Sequence, residues 1–139
     1  MRLVSWNCRG LGNPTKAEAI KDLLKIEAPK ILMLQETKIG GETLLEISKL
    51  KWEKNAGRAI SARGSSGGIA TLWLEDKFQL KSSFETQHWI YTELRHLSSK
   101  LSISLFNLYV PVLLTEKKEC WQTLSYFLDI YSPQKIIVD

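Results

Sequence analysis

The fold is decided by one stretch, Ile31-Leu-Met-Leu-Gln-Glu-Thr-Lys38. Four consecutive apolar residues that run into polar ones predict a strand buried on both faces. Such a strand delivers Glu36 to its carboxyl end, the edge at which layered α/β proteins build their sites. Alternation predicts that Leu32, Leu34 and Glu36 share one face. An unpaired buried carboxylate is costly, so Glu36 must reach water, a cation or a metal.

The composition is that of a single globular domain. The 139 residues are 44% hydrophobic and 24% charged, which excludes a disordered chain. The net charge of +4 is compatible with a polyanionic partner. Cys8 and Cys120 are far apart and lack metal-ligand spacing, so they predict free thiols of a reducing compartment. No apolar run is long enough to span a membrane. We therefore expect an intracellular protein, nuclear or cytoplasmic, with no membrane partner.

The first part of the chain predicts a strand–helix–strand unit. The segment Leu3–Cys8 is apolar and places Asn7 at the end of a strand. Asn13 and Pro14 suit the cap and first turn of a helix, which Pro29 ends. A right-handed crossover sets the two strands side by side or one apart. This geometry brings Asn7 towards Glu36.

The rest of the chain predicts short strands and two more helices. Up to the middle, the expected elements are a helix at 42–50, a brief strand at Trp52, a mobile polar loop at 55–66, and strands at 67–74 and 78–84 paired as a hairpin. There follow an antiparallel pair at 89–94 and 101–110, a helix capped by Thr115, and a strand at 135–139. This order predicts an α/β sandwich.

Polar residues collect at the predicted strand ends. One carboxylate and one carboxamide offer hard oxygen ligands, which suit Mg²⁺. A tyrosine hydroxyl can donate to a phosphate oxygen, and an aspartate can orient or deprotonate a water. The set fits metal-assisted phosphoester hydrolysis, as one option among several. Its members are Asn7, Glu36, Asn107, Tyr109 and Asp139.

Four motifs together resemble the endonuclease/exonuclease/phosphatase superfamily. They are Ser5-Trp-Asn-Cys-Arg-Gly-Leu11, Leu34-Gln-Glu-Thr-Lys38, Ser65-Ser-Gly-Gly68 and Asn107-Leu-Tyr-Val-Pro111, and they occur in the family's order. Each motif alone is weak, whereas four in order over the whole chain are specific. The first motif and the helix that contains Trp121 are similar to the endonuclease domain of plant LINE-type retroelements.

The resemblance implies a four-layer αββα sandwich that cleaves nucleic-acid phosphodiesters, those of DNA above all, with Mg²⁺ or Mn²⁺. Carried over by motif, Glu36 ligates the metal with Asn7 beside it. Tyr109 contacts the scissile phosphate, and Asp139 is matched to a family aspartate. His88 and His96 match no family histidine, and we expect both at the surface or at a strand edge.

The chain also departs from the family pattern. Val138 stands where the family has glycine, and the closing Asp-His motif, which supplies the general base, is absent. Residues 1–139 are therefore expected to form one incomplete domain, a partial sandwich whose C-terminal half is missing. With much of the second sheet lacking, Leu101, Ile103, Leu105 and the strand 68–74 are expected to face solvent and to allow self-association.

Three functions follow from these observations. The first is a metal-dependent endonuclease-like hydrolase, truncated and inactive or weakly active. The second is a non-enzymatic remnant that binds nucleic acid weakly through Lys and Arg. The third is a phosphatase acting on small phosphoesters. The turn at Arg9 and the basic balance favour nucleic acid over a small substrate.

Overall fold

Two sheets packed face to face form the centre of the molecule, with helices on both outer faces. The computed structural model describes residues 2–63, 67–111, 113–131 and 136–138. The first sheet has the order β1 (Leu3–Asn7), β2 (Ile31–Gln35), β4 (Ile69–Leu74) and β3 (Asn55–Ile60). The second has the order β5 (Phe78–Glu85), β6 (Trp89–His96), β7 (Ser102–Leu108) and β8 (Ile136–Val138). The helices are α1 (Pro14–Glu27), α2 (Gly41–Lys51) and α3 (Leu114–Tyr131). The expected αββα sandwich is confirmed, in partial form.

The β1–α1–β2 unit forms as its sequence predicts. The side chain of Asn13 accepts a hydrogen bond from Thr15 N at 2.8 Å, and Pro14 occupies the first turn of α1. The helix ends at Glu27, because Ala28 adopts a left-handed conformation and Pro29 follows. The strands β1 and β2 are parallel neighbours, with Asn7 opposite Gln35.

The core between the two sheets consists of buried apolar side chains from strands that the structure describes. All five residues of β2 are buried. Its inward side chains Ile31 and Met33 pack against a cluster from the other strands: Trp73, Phe78, Leu94, Ile103 and Leu105. The expectation of an exposed apolar sheet face is therefore wrong. Ile103, Leu105 and most of β4 are buried, and only Leu101 is exposed, at 62%. The reason is that β5 to β8 form a second sheet that covers the first.

The helices cover the outer faces of the sheets. On the first sheet, Ile20 of α1 and Leu44 of α2 pack on Leu32, Leu34 and Leu72. On the second sheet, α3 places Phe127 against Trp89 and Phe106, with ring centroids 5.2 and 5.6 Å apart. Within the described residues, no helix combines the length and apolar character that crossing a membrane requires.

Several local predictions need correction. Trp52 ends α2 instead of forming a strand, and residues 55–60 of the expected mobile loop form β3, which pairs with β4. Asn55 starts β3 because its buried amide donates to Ser48 O at 2.9 Å. The strand at 78–84 pairs with β6 and not with β4, since the turn at 75–77 carries the chain to the other sheet. Thr115 lies inside α3, which begins at Leu114.

Candidate functional site

Asn7 and Glu36 lie at the same edge of the first sheet. In the parallel pair, Cys8 N donates to Gln35 O at 2.9 Å and Gly10 N donates to Glu36 O at 2.8 Å. The loop after β1 therefore runs along the loop after β2. Because Asn7 is opposite Gln35, Glu36 is one residue beyond the partner of Asn7. The structure thus brings together the two residues predicted to bind metal.

The backbone at Glu36 departs from the strand geometry that the sequence predicts. Leu32 and Leu34 point outward into the layer of helices, but Glu36 follows the end of β2 with a φ of +51°. This left-handed conformation interrupts the alternation that would have placed all three on one face. The side chain of Glu36 is partly exposed. It is thus free to reach a cation at the sheet edge.

A glycine pair separates the loop of Glu36 from Tyr109. Gly68 O accepts from Thr37 N at 3.0 Å, and Gly67 O accepts from Lys38 N at 2.8 Å. A Cβ at Gly68 would lie 2.2 Å from Thr37 Oγ1, and the φ of +88° also favours glycine. A Cβ at Gly67 would lie 3.9 Å from Tyr109 Cε1. Close packing therefore requires glycine at position 68, and a φ of +78° favours glycine at position 67. Ser65 and Ser66 of this predicted motif lie outside the described residues.

A buried polar network joins the two sheets directly below the site. Gln35 Nε2 donates to Asn107 Oδ1 at 2.9 Å and to Ser5 Oγ at 3.0 Å. Asn107 Nδ2 donates to Ala70 O at 2.8 Å. Because Glu36 follows Gln35 and Tyr109 lies two residues after Asn107, the network fixes β7 against β2 near both residues. Tyr109 N is itself bonded to His88 O at 2.8 Å.

The side chains at this edge of the first sheet are of the types that bind a magnesium ion. Asn7 Oδ1 accepts from Arg9 N at 3.3 Å and retains a second lone pair. Together with the Glu36 carboxylate it offers hard oxygen ligands, and Mg²⁺ is commonly held by one or two carboxylates, water and substrate phosphate. Across the described ranges, no group of three His, Cys, Asp or Glu side chains can hold a metal. The matched aspartate, Asp139, lies outside the described residues.

Cys8 is buried immediately beneath this edge. Burial raises the pKa of the Cys8 thiol from 9.0 to about 12, partly offset by hydrogen bonds and by Lys16, and the charge of Glu36 adds to the rise. Cys120 lies on the buried face of α3, and burial raises its pKa as well. Both thiols are free, as the sequence predicts, and both pack as small core residues.

A second group of residues near Tyr109 was missed by the sequence reasoning. They line a pocket of about 320 Å³ that includes Arg63, Gly67, Gly68, Gln87, His88 and Glu116. His88 is partly buried immediately before β6, at a strand end as expected, and it lines this pocket. Apart from the glycine pair, no motif marks these residues, because Arg63, Gln87, His88 and Glu116 come from two loops and one helix that meet only in the folded chain.

Comparison with known families agrees with this geometry. The Endonuclease/Exonuclease/phosphatase family matches residues 4–129. The chain belongs to this family. The superfamily resemblance read from the four motifs is thereby confirmed, whereas the retroelement subgroup is a finer assignment that this match does not address. Among curated proteins, no sequence matches the chain significantly.

Solved structures with the endonuclease/exonuclease/phosphatase fold are similar over nearly the whole chain. A mannosyl-6-phosphatase of Bacteroides thetaiotaomicron superposes with a TM-score of 0.74 at 12% identity, covering 98% of this chain and 62% of that one. An AP endonuclease of Leishmania major superposes with a TM-score of 0.66 at 19% identity, and the match covers 93% of this chain and 46% of that one. A 3' phosphatase of Neisseria bound to a product DNA hairpin superposes with a TM-score of 0.70 at 15% identity, and the match covers 99% of this chain and 56% of that one. These identities show a shared fold, and the chain spans only about half to three fifths of each structure.

Proposed function

We propose that this chain is the metal-binding portion of a phosphodiester hydrolase that acts on nucleic acid, DNA above all. Asn7 and Glu36 hold Mg²⁺ or Mn²⁺, and Tyr109 donates a hydrogen bond to the scissile phosphate. A metal in this position supplies charge stabilisation to the phosphate. The observation that carries the proposal is the convergence of Asn7 and Glu36 at adjacent strand ends, with Tyr109 across the Gly67–Gly68 segment.

The charge distribution supports a nucleic-acid substrate. Arg9 and Lys38 are exposed in the two loops that carry the site, and the Lys38 stem lies 3.5 Å from the Cβ position of Gly10. Arg63 is exposed on the other side of the glycine pair. Cations on both sides of a carboxylate can follow a phosphate backbone. Two of the similar structures are, by name, an AP endonuclease and a 3' phosphatase bound to DNA.

Metal binding is the first test of the proposal. Calorimetric titration with Mg²⁺ and Mn²⁺ is expected to give weak binding to the wild-type chain, because one carboxylate and one carboxamide make a poor site. Glu36→Gln removes the charged ligand and should abolish the heat. Glu46→Gln, an exposed position on α2, is the matched control and should leave it unchanged. Equal heats for wild type and Glu36→Gln would refute the role of Glu36.

Cleavage is the second test. The 139 residues contain no Asp-His motif after Pro111, and a positioned general base is worth roughly a hundred- to ten-thousandfold in rate. We therefore expect negligible nicking of supercoiled plasmid by this chain with Mg²⁺ or Mn²⁺, with the Glu36→Ala variant as control. Robust nicking that Glu36→Ala abolishes would contradict this expectation and reveal a substitute base.

A phosphatase acting on small phosphoesters is the second candidate. It is favoured by the similarity to a mannosyl-6-phosphatase. Metal-dependent hydrolysis of a small phosphomonoester without oligonucleotide binding would select it. Oligonucleotide binding that is independent of metal and of Glu36 would instead select a non-enzymatic remnant. The retroelement origin rests on the form of residues 5–14 and on Trp121, and it remains part of the proposal.

A further inference from the structure

An apolar groove lies on the outer face of the second sheet, between β5 and α3. Its volume is about 650 Å³, which is within the range of binding clefts. Three of its side chains are large and well exposed: Phe84 at 49%, Tyr126 at 70% and Ile130 at 59%. The groove is formed by Phe84, Trp89, Gln122, Tyr126, Phe127 and Ile130. A contiguous exposed patch of this kind on a globular domain marks an interaction surface.

A β-bulge in β5 turns Phe84 towards the groove. Leu80 packs in the core between the two sheets. In a regular strand Phe84, four residues later, would share that face. The register shifts between Leu80 and Ser82, and one extra residue reverses the alternation. Phe84 therefore lies on the outer face, with its ring centroid 5.8 Å from that of Trp89 and 5.4 Å from that of Phe127.

The polar groups of the groove lining are already paired within the chain. Trp89 Nε1 donates to Thr123 Oγ1 at 3.1 Å, and Thr123 Oγ1 donates in turn to Cys120 O at 3.0 Å. Thr86 Oγ1, also in the lining, accepts from His88 N at 3.2 Å. These groups have little to offer a polar ligand, whereas the aromatic rings gain from contact with apolar surface. The lining therefore favours an apolar occupant.

The charges that border the groove are acidic. Glu119 is exposed on α3, three residues before Gln122, a spacing that places both on one side of the helix. Glu93 follows Tyr91 by two residues on β6 and so extends the outer face of the sheet. Ser82 Oγ holds it there by donating to its carboxylate at 3.1 Å. No lysine or arginine of the described chain lines the groove. The border therefore favours a basic occupant.

We propose that this groove binds an amphipathic helix of another protein, whose apolar face enters the groove and whose flanking residues are lysine or arginine. The wall formed by α3 runs from Gln122 to Ile130, a length of about 12 Å. On a bound helix, apolar residues at i, i+4 and i+7 span about 10.5 Å. Three such side chains can therefore fill the groove alongside α3. This inference is independent of the proposed hydrolase function.

Charge and area decide against a second copy of this chain as the occupant. The exposed ridge that could enter the groove is α3 itself, through Tyr126 and Ile130. The same helix carries Glu119 and Asp129, which would meet the carboxylates of the first copy, and like charges at an interface weaken binding. Three partly exposed side chains also contribute less than the roughly 800 Å² per partner that a stable interface buries.

The test uses a synthetic amphipathic peptide as the probe. It has about 14 residues, or four turns, with leucine on one face and lysine elsewhere, and it carries fluorescein for anisotropy. The whole chain has a net charge of +4, so overall charge does not attract a basic peptide. Tyr126→Ser and Ile130→Ser should each weaken binding about tenfold, because each removes apolar contact. Glu119→Gln should weaken it about two- to fivefold, an effect that added salt removes.

Matched controls move each change away from the groove. Leu50→Ser and Ile26→Ser replace side chains that are exposed at 85% and 77% on the other two helices. Glu46→Gln neutralises an exposed carboxylate of α2. All three should stay within about twofold of wild type. A peptide with glutamate in place of lysine keeps the leucine face and should bind at least about tenfold more weakly. Thermal unfolding verifies that every variant is folded.

The outcomes support or overturn the proposal separately from the metal site. Equal affinity of wild type, Tyr126→Ser and Ile130→Ser, or no binding of the lysine peptide up to about 1 mM, would overturn it. Equal affinity for the glutamate peptide would also overturn it, because the bordering carboxylates would then have no role. Sedimentation velocity should show a monomer, and a dimer that Tyr126→Ser dissociates would assign the groove to a second copy instead. The Glu36-dependent heat of metal binding should be the same in wild type and Tyr126→Ser.

Discussion

At the scale of single residues, Cys8 reports on how well the site edge is packed. Its exposed fraction is 0%, and burial raises its pKa to about 12 from 9.0. Between these values the unfolded chain loses the thiol proton while the folded chain keeps it. Stability must therefore fall as pH rises above about 9, with a slope of at most about 1.4 kcal/mol per pH unit from this group.

This expectation can be measured by urea unfolding at pH 8, 9 and 10. The wild-type chain should lose stability with rising pH more steeply than Cys8→Ala, which has no thiol to titrate. Cys120→Ala is the matched control, since burial raises the pKa of that thiol too but at a distance from the site. Parallel pH profiles for wild type and Cys8→Ala would show that Cys8 is solvated.

Residue roles differ in how far the sequence reveals them. Asn7, Glu36 and Tyr109 lie at strand ends, which periodicity and turn residues locate, so their positions were predictable. Arg63 and His88 lie in loops with no periodicity. Their approach to Tyr109 depends on long-range packing of β3, β6 and β7, which no local pattern encodes.

At the scale of elements, the contact between β2 and β7 depends on Asn107. Its amide accepts from Gln35 and donates to Ala70 O, and the residue is fully buried. Asn107→Leu removes one of the two acceptors of the Gln35 amide and the side-chain donor to the Ala70 carbonyl, and it buries no polar group in their place. We expect a loss of about 2–4 kcal/mol in the free energy of unfolding.

The comparison for Asn107→Leu is Asn13→Ala, which removes only the exposed cap of α1 and should cost about 1 kcal/mol. Both are read from urea unfolding. Because the network holds Tyr109 near Glu36, Asn107→Leu should also weaken metal-dependent binding of DNA, whereas Asn13→Ala should not. If Asn107→Leu lowered the free energy of unfolding by less than Asn13→Ala does, apolar packing alone would hold the two sheets together.

The predicted strand pairing is wrong at the turn where the chain passes from the first sheet to the second. The strands β4 and β5 flank a short turn, so they look like a hairpin in sequence. Trp73 and Phe78 instead face one another across the core. Strand β3 resembles a loop in sequence because it is a short edge strand, and its partner β4 follows only after the glycine pair.

At the scale of the whole molecule, the sandwich has two unlike sides. Asn107 on β7 bonds to β2 and β4, and β6 contacts β3 and β4. It follows from the strand orders that β5 lies on the side of β3 and β8 on the side of β1. In the described chain, β1 and β8 each have one neighbour, so this side presents two open edges beside Asn7.

Hydrogen exchange followed by mass spectrometry tests this arrangement. The strands β2, β4, β6 and β7 each have a neighbour on both sides, and their amides should exchange only on global unfolding. The edge strands β1, β3 and β5 should exchange faster, through local opening. The pair β3 and β4 serves as an internal control, since both are antiparallel and adjacent. Protection of β1 equal to that of β2 would mean that another segment covers the open edge, and the site would then be closed on the side of Asn7.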